Sequence, residues 1–381
     1  MVELTSRGLL PGESSWPTGV KHLPLVIEPA QSLSAESMTS LLRDQRERVL
    51  GQLTTHGAIL LRGTPYREAA HFVDVMNALG LDYRAYPHLT DNYRRPVVEG
   101  VVNASSTEAP LPVPPHTEQA FSSVRPGVLG FMCLQRAPQG GQTPLHDCVN
   151  AYRELTPATK EMLQGAFFCK VTDQMSEDAV RSNFNTLDRA EIDQICKKFD
   201  LEWSWNGGKL SFVTKGPCVV THPMTGETAF SCFWTVPSIH YFFRNYHGVP
   251  GADRKMAMLC RVVPLSAFDF ILRNCVPFFR RNYRYFLFKD GKRLDVSLEM
   301  HTELNAVIWK NTTVFEWQPG DILMIDNIKV GHSRMPFVPP RHVVASVCNY
   351  YDARERRVEA PASRVSPDTE KRSPDRSAYT A

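Results

Sequence analysis

The sequence lacks the features that mark several classes of protein. Its nine cysteines form no CxxC pair, and the ligand spacing of a structural zinc site is absent. An odd number of scattered cysteines in a chain of 381 residues indicates reduced thiols, most of them small buried side chains. We therefore expect neither a disulfide framework nor a zinc-binding domain.

An excess of one charge and long apolar runs are also missing. Lys and Arg number 43 against 40 Asp and Glu, whereas a main partner of nucleic acid would require a clear basic excess. No run approaches the roughly 18 apolar residues of a membrane span. The first 17 residues contain acidic, Gly and Pro residues where a signal peptide needs a continuous apolar region. These absences predict a cytoplasmic protein that binds neither nucleic acid nor a membrane.

The composition that is present is that of an ordinary globular domain. Hydrophobic residues make up 43% and charged residues 22% of the chain, which allows a sizeable core. We predict an irregular lead-in over residues 1–30, one domain over 31–352 with a helical insertion at about 242–285, and a disordered tail over 353–381. The tail is rich in Arg, Glu, Pro and Ser and has almost no large apolar residues.

Hydrophobic periodicity predicts both helices and many short strands. The predicted helices are 34–53, 67–79, 150–168, 190–199 and a helix from Thr302 to about Lys310. The predicted strands are 58–63, 128–134, 313–317, 322–325 and 343–347, with turns at Gly140-Gly141 and at 318–321. This mixture suggests an α+β domain built on a β-sandwich or jelly roll.

A His-Thr-Glu tripeptide is the strongest chemical signal. In an extended segment, residues i and i+2 project to the same side, so His116 and Glu118 can bind one metal ion together. His332 is the best candidate for a third ligand, because it follows an apolar strand that ends in polar residues. Two imidazoles and one carboxylate on one face of iron(II) leave positions for a bidentate co-substrate and dioxygen.

A second His-Thr-Glu occurs at His301, Thr302 and Glu303. Its surroundings predict a helix, on which side chains i and i+2 diverge. We therefore expect the second copy not to bind a metal. His146, His222 and His240 are interpreted as loop or packed histidines, and Asp147 as part of a structural strand.

Six stretches together resemble the taurine dioxygenase-like (TauD/TfdA) family of 2-oxoglutarate oxygenases, in the branch that acts on amino acids and in natural-product assembly. They occur in the order and at about the spacing of that family, between residues 53 and 350. The stretches are 56–63 (HGAILLRG), 115–118 (PHTE), 140–144 (GGQTP), 222–227 (HPMTGE), 317–321 (WQPGD) and 326–334 (DNIKVGHSR), the last followed by Pro340-Arg341.

The resemblance implies a double-stranded β-helix (jelly roll) with flanking helices, in which His116, Glu118 and His332 bind Fe(II). It also implies 2-oxoglutarate and dioxygen as co-substrates. Thr143 and a basic residue beyond His332 would hold the far carboxylate of 2-oxoglutarate, since a guanidinium can bind a carboxylate through two parallel hydrogen bonds. Arg341 is the preferred residue, and His342 and Arg334 are the alternatives.

The sequence indicates less about the substrate and about the type of oxidation. The carboxylate of Glu118 favours hydroxylation, desaturation or oxidative cyclisation over chlorination, since related halogenases lack a carboxylate there. The expected substrate is a small amino acid or a metabolite derived from one, free or tethered to a carrier protein, in secondary metabolism. An oligomer is compatible with the sequence. The residues interpreted as pocket lining are Asn103, Phe121, Phe230, Trp234 and Arg334.

Three other functions compete with this interpretation. A catalytically silent jelly-roll binding protein would have lost at least one ligand, and all three candidates are present. A hydrolase or isomerase with zinc or manganese would give Thr143 and Arg341 no purpose. A taurine or sulfonate dioxygenase of catabolism would keep the metal and the co-substrate and differ in substrate.

Overall fold

A large β-sheet runs through the centre of the protein. The structure is a computed structural model, and it describes residues 3–15, 23–83, 96–105, 107–233, 236–246, 248–275 and 285–354. Two of its neighbouring strands, β2 (Leu25–Pro29) and β3 (Ala58–Leu61), are parallel, and its other described neighbours are antiparallel. Among the described residues, its strands in spatial order are β1 (Leu4–Arg7), β2 (Leu25–Pro29), β3 (Ala58–Leu61), β18 (Ile322–Asp326), β7 (Val124–Gln135), β21 (His342–Asp352), β5 (Val101–Asn103) and β4 (Pro96–Val98).

A smaller sheet packs against one face of the large sheet. Its strands in spatial order are β17 (Thr312–Thr313), β9 (Leu145–Asp147), β19 (Val330–Arg334) and β6 (Val113–His116). Phe131 and Leu323 of the large sheet share one buried apolar cluster with Leu145 and Val330 of the small sheet. The two sheets therefore enclose a common core.

Helices cover the opposite face of the large sheet. They are α1 (Ala35–Asp44), α2 (Arg46–His56) and α3 (Ala69–Ala78). Ile322 and Met324 pack in the core on this helical side, whereas Leu323 and Ile325 face the smaller sheet. A strand covered on both faces needs a continuous apolar run, and each fully buried side chain of this kind contributes about 1.5–3 kcal/mol.

A separate antiparallel sheet and two helices form a module. The sequence patterns predicted its second helix, over 190–199, but not the module as a whole. Met175, Phe184, Ile192, Cys196 and Phe212 lie in its buried core. Its strands in spatial order are β11 (Glu202–Asn206), β12 (Lys209–Pro217), β10 (Phe167–Met175), β15 (Tyr285–Lys289) and β16 (Lys292–Leu294), and its helices are α6 (Glu177–Phe184) and α7 (Arg189–Lys198).

The remaining elements surround these sheets. Two short strand pairs are β13 (Val219–Thr221) with β14 (Thr228–Phe230) and β8 (Gln139–Gly140) with β20 (Phe337–Val338). The remaining helices are α4 (Cys148–Glu154), α5 (Pro157–Leu163), α8 (Val236–Asn245), α9 (Arg254–Val262), α10 (Leu265–Cys275) and α11 (Leu298–Lys310), with a 3-10 turn at Pro11–Glu13. In the part of the chain that is described, no helix has the length and apolarity needed to cross a bilayer.

Several predicted boundaries are wrong for identifiable reasons. The predicted helix 150–168 is two helices, because Thr156 caps a new helix and Pro157 occupies its first turn. The last helix begins at Leu298 and not at Thr302, because Ser297 accepts a hydrogen bond from the backbone of Met300. The predicted strand 313–317 is reduced to β17, which pairs with β9 over two residues.

The predicted domain limits meet the structure only in part. The lead-in is not irregular throughout, because it contributes β1 and β2, which are held by pairing with each other and with β3. Helices α8–α10 fill much of the predicted insertion, and the limits of that insertion stay a prediction. Residues 355–381 of the predicted tail lie outside the described residues.

Candidate metal centre

Three side chains that bind metals in many proteins converge on the smaller sheet. His116 ends β6, and His332 of β19 is its partner across the strand pair. Glu118 follows His116 by two residues. One ligand atom from each of the three residues lies within 4.8 Å of the other two. One ion can therefore bind all three, since bonds from a divalent transition metal to nitrogen or oxygen are about 2.0–2.2 Å long.

Local contacts fix the orientation of the two imidazoles. Nδ1 of His116 lies 2.9 Å from the carbonyl oxygen of Pro114, and a carbonyl can only accept, so Nδ1 carries the hydrogen. Nε2 then presents its lone pair, and it lies 3.9 Å from Oε2 of Glu118. The ring of His332 lies 4.3 Å from that of His116 and 5.1 Å from that of Phe131, between centroids. A second hydrogen bond that fixes the tautomer is typical of metal-binding histidines.

The backbone around Glu118 differs from the expected extended segment. Strand β6 ends at His116, and Gln119 has a φ of 56°, a conformation that costs a non-glycine residue about 1–3 kcal/mol. The backbone N–H of Glu118 donates to Oδ1 of Asn327 over 2.7 Å. Nδ2 of Asn327 donates in turn to the carbonyl oxygen of Glu118 over 3.0 Å. A turn held by a side chain therefore places the carboxylate.

The second His-Thr-Glu lies on helix α11, as predicted. Glu303 accepts hydrogen bonds from the backbone N–H of Thr156 over 2.6 Å and from the hydroxyl of Thr159 over 2.6 Å. It therefore stabilises the first turn of helix α5. Among the described residues, the group of metal-binding side chains around His116 includes neither His301 nor Glu303.

Histidines 146 and 222 are bonded within the protein. The hydroxyl of Thr312 donates to a backbone carbonyl, so it accepts from Nδ1 of His146 over 2.7 Å, and Nε2 accepts from Ser333 over 2.9 Å. Nδ1 of His222 accepts two backbone N–H groups, so its Nε2 donates to Asp326 over 2.8 Å.

His240 and Asp147 also have structural contacts. Nε2 of His240 lies 2.9 Å from the carbonyl oxygen of Val263. The carboxylate of Asp147 ends β9 and accepts two backbone N–H groups of helix α4, at 3.0 and 2.8 Å. These contacts agree with the interpretation of both residues as structural.

A cationic and polar group lies beside the metal-binding residues. Residues 142–145 run antiparallel to 332–335, with Leu145 opposite His332. Thr143 is therefore about 7 Å along the strand from the level of His332, on the same face. Its hydroxyl accepts the indole N–H of Trp317 over 3.1 Å, and a hydroxyl that accepts can still donate its own hydrogen. Trp317 was quoted in the sequence motif without a role.

Arg341 reaches the same segment. Its Nε donates to the carbonyl oxygen of Gly141 over 2.8 Å, and its side chain is half-buried. Burial lowers the pKa of Arg341 to about 10, so it stays protonated at neutral pH. His342, the alternative, is exposed.

Arg334, the other alternative, is hydrogen-bonded mainly to backbone carbonyls. Its two Nη atoms donate to the hydroxyl of Ser105 and to backbone carbonyls at residues 107, 108 and 111. Burial lowers the pKa of Arg334 to about 9, and the charge of Arg341 contributes further. Both guanidinium groups lie over the ring of Phe337, at 5.0 and 5.7 Å from its centroid. Within the described residues, neither has a carboxylate as ion-pair partner.

Most of the chain matches one protein family. Residues 20–347 match the sequence model of the family described as taurine catabolism dioxygenase TauD, TfdA family. The chain belongs to the TauD/TfdA family. It is thus an enzyme, a dioxygenase that depends on iron and 2-oxoglutarate.

Individual relatives of this TauD/TfdA chain are distant. It is 27% identical over 349 residues to a clavaminate synthase-like protein of Arabidopsis thaliana, covering 86% of this chain and 94% of the relative. It is 24% identical over 350 residues to the dapdiamide synthesis protein DdaC of Enterobacter agglomerans, covering 90% and 96%.

A solved structure supports the fold of this TauD/TfdA protein. The crystal structure of a Burkholderia xenovorans protein described as an alpha-ketoglutarate-dependent taurine dioxygenase is similar with a TM-score of 0.50 at 13% identity. The match covers 92% of this chain and 91% of that one. The predicted α+β jelly roll is confirmed.

The residues of this TauD/TfdA chain fit the groups that its family requires. Two imidazoles and one carboxylate form a donor set suited to iron(II). The guanidinium of Arg341, half-buried and without an acidic partner among the described residues, fits an anion such as a carboxylate.

The predicted substrate residues have diverse surroundings. Asn103 lies on β5 and is half-buried. Phe121 is half-buried three residues after Glu118, with Nζ of Lys170 5.2 Å from its ring centroid. Phe230 is fully buried and packs edge-on against Phe233. Trp234 lies outside the described residues. A substrate role for these four residues stays a prediction.

Proposed function

We propose that His116, Glu118 and His332 bind the iron(II) of this dioxygenase and that Arg341 and Thr143 bind the far carboxylate of 2-oxoglutarate. The observation that carries the proposal is the convergence of the three ligand atoms within 4.8 Å. The cationic side chain of Arg341, close to the same strands, adds to it.

The chain's own residues define what each part contributes. When bound, iron and 2-oxoglutarate supply the chemistry in which dioxygen oxidises a C–H bond and 2-oxoglutarate becomes succinate and carbon dioxide. His116 offers a lone pair at Nε2, because its Nδ1 hydrogen is held by Pro114. Phe131 packs on His332 and shields it from water. Arg341 and Thr143 orient the co-substrate from its far end.

We further propose that the substrate is a small amino acid or a metabolite derived from one, free or carrier-tethered. Support comes from the relatives, one described as clavaminate synthase-like and one as a dapdiamide synthesis protein, and from the resemblance of the sequence to the branch of the family that acts on amino acids. The carboxylate of Glu118 favours hydroxylation, desaturation or cyclisation as the outcome.

Anaerobic titration of the apoprotein with iron(II) and then 2-oxoglutarate tests the co-substrate assignment. We expect the weak visible charge-transfer band of an iron–2-oxoglutarate chelate. The band should be lost in His116→Ala. Iron binding without the band would contradict the assignment of the 2-oxoglutarate site.

A substrate panel tests the second part of the proposal. Purified enzyme with iron(II), ascorbate and 2-oxoglutarate would be given amino acids, amino-acid amides and taurine, and succinate release would be measured. An amino-acid-type compound should stimulate succinate release above the uncoupled rate. Stimulation by taurine alone would favour a sulfonate substrate and overturn the proposed substrate class.

A further inference from the structure

Asn327 occupies the turn between β18 and β19 and is almost completely buried, with 2% of its surface exposed. Its side-chain amide makes three hydrogen bonds to backbone groups. Oδ1 accepts from the N–H of Glu118 over 2.7 Å. Nδ2 donates to the carbonyl oxygen of Glu118 over 3.0 Å and to that of Pro126 over 2.8 Å. One side chain thus satisfies both backbone groups of Glu118.

The hydrogen bonds from Asn327 take the place of those that a paired strand would make to the backbone of Glu118. Glu118 lies beyond the end of β6 and is followed by Gln119 in a left-handed conformation, so no β-ladder among the described strands holds its peptide groups. A buried backbone group without a partner costs about 1–3 kcal/mol. Because Asn327 binds the N–H and the C=O of the same residue, it fixes the peptide planes on both sides of Glu118. The direction of the Cα–Cβ bond follows from those two planes.

Asn327 is itself held on a rigid base. Its backbone N–H donates to the carbonyl oxygen of Gly127 over 2.9 Å. The preceding Asp326 binds His222 through Oδ2 and accepts the backbone N–H of Ile328 through Oδ1. These contacts hold Asn327 in place independently of Glu118. Its side-chain amide therefore resists a shift of the turn that contains Glu118.

We propose that Asn327 is a positioning residue that aims the carboxylate of Glu118 at the metal. The assignment rests on the proposed function, in which Glu118 is a ligand. Asn327 acts on the backbone of that ligand. Its removal should loosen the metal site more than it destabilises the fold.

The test compares Co(II) binding to the apoproteins of the wild type, Asn327→Ala and Asn327→Asp, followed by the visible ligand-field absorption of bound cobalt. This readout needs no turnover. Loss of a residue that orients a metal ligand typically weakens metal binding about 10–100-fold, and we expect that range for Asn327→Ala, with a changed cobalt spectrum. Asn327→Asp keeps the shape of the side chain and the acceptor for the Glu118 N–H, but it turns a carboxylate oxygen toward the carbonyl oxygens of Glu118 and Pro126, so its Co(II) affinity should fall at least as far.

Asn305→Ala is the matched control, because Asn305 is 7% exposed and, among the described residues, its amide bonds only to the carbonyl oxygen of His301 in its own helix. It should lose some thermal stability and bind Co(II) as the wild type does. Wild-type affinity and spectrum in both Asn327 variants would overturn the inference. If Asn327→Ala does not fold, Co(II) binding by Asn327→Asp alone tests the inference, with weakened binding expected and wild-type binding contradicting it. Failure of the wild type itself to bind Co(II), or binding that survives in His116→Ala, would instead overturn the proposed metal site.

Discussion

His116 and His301 each begin a His-Thr-Glu tripeptide, and their surroundings differ in almost every respect. His116 ends a strand, and its Nδ1 is held by Pro114. His301 lies inside helix α11, and Glu303 bonds to the start of another helix. Identical side chains at identical spacing therefore have different chemistry, because the backbone decides whether they point to one place.

The two histidines allow a direct comparison of variants. His116→Ala should weaken binding of Fe(II) or Co(II) by at least about 100-fold, since it removes a metal ligand. His301→Ala should leave metal affinity unchanged while lowering stability, because its side chain is buried. Isothermal titration under nitrogen measures both. The reverse result would show that the second tripeptide holds the metal.

The affinity for 2-oxoglutarate should depend most on the guanidinium of Arg341. Arg341→Ala removes a charged partner of a carboxylate, which typically costs about 2–5 kcal/mol, or about 30-fold or more in the Kd for 2-oxoglutarate. The Kd is obtained from the visible band of the iron chelate.

The adjacent His342 supplies the control for Arg341. It is exposed, so His342→Ala should bind 2-oxoglutarate as the wild type does. An unchanged Kd in Arg341→Ala together with a raised Kd in His342→Ala would move the carboxylate anchor to the second position.

At the scale of elements, the segment that follows β8 brings Thr143 and Arg341 together. Gly141 has a φ of 73°, and a Cβ built on it would lie 2.8 Å from Cδ of Arg341. The segment is held by the backbone bond from the N–H of Gly141 to the carbonyl oxygen of Pro336. The lack of a side chain at Gly141 therefore leaves room for the side chain of Arg341.

Gly141→Ala should displace Arg341 and raise the Kd for 2-oxoglutarate, whereas metal affinity should stay the same. Gly165 is a matched control, because its φ is 74° and a Cβ there would meet nothing within 4 Å. Both variants carry the same backbone strain of about 1 kcal/mol. Only Gly141→Ala should change co-substrate affinity in the chelate titration. An equal effect in both variants would show that the loss comes from strain alone.

At the scale of the whole molecule, both faces of the large sheet are covered by other elements, and some buried polar side chains are hydrogen-bonded inside the protein. His146 lies completely buried between Thr312 and Ser333. Burial, with a smaller contribution from His116, lowers the pKa of His146 to about 3. Its ordinary value is near 6.5, so the unfolded chain binds this proton more readily than the folded one.

The consequence is a dependence of stability on pH. The stability contributed by neutral His146 is complete above pH 6.5 and is lost as the pH falls toward 3. Between pH 7 and pH 5 this group alone should lower the free energy of unfolding by up to about 2 kcal/mol. His146→Asn should be less stable at pH 7 and show a shallower decline in urea unfolding, whereas His342→Ala should keep the wild-type slope. Parallel declines in His146→Asn and the wild type would contradict the assigned pKa.

The sequence determined those features that depend on local chemistry. The apolar run of β18, the helix that begins after Ser34 and the distinction between the two tripeptides follow from propensity, pattern and spacing. The candidate metal ligands could be named because two of them lie two residues apart and the third follows a recognisable strand and turn. The family resemblance supplied the jelly roll and the co-substrate.

Only the tertiary structure decided the rest, because those features depend on contacts between residues far apart in the chain. The module around β10 to β12 is assembled from residues 167–217 with β15 and β16 from near residue 290, so no local window contains its pattern. The structure also shows that Arg334 donates to the hydroxyl of Ser105 and to backbone carbonyls at residues 107, 108 and 111, which favours Arg341, the residue preferred from the sequence, as the proposed anchor. Likewise, Asn327 reaches Glu118 across 209 residues, and that contact, unlike the spacing of the tripeptide, sets the direction of the carboxylate.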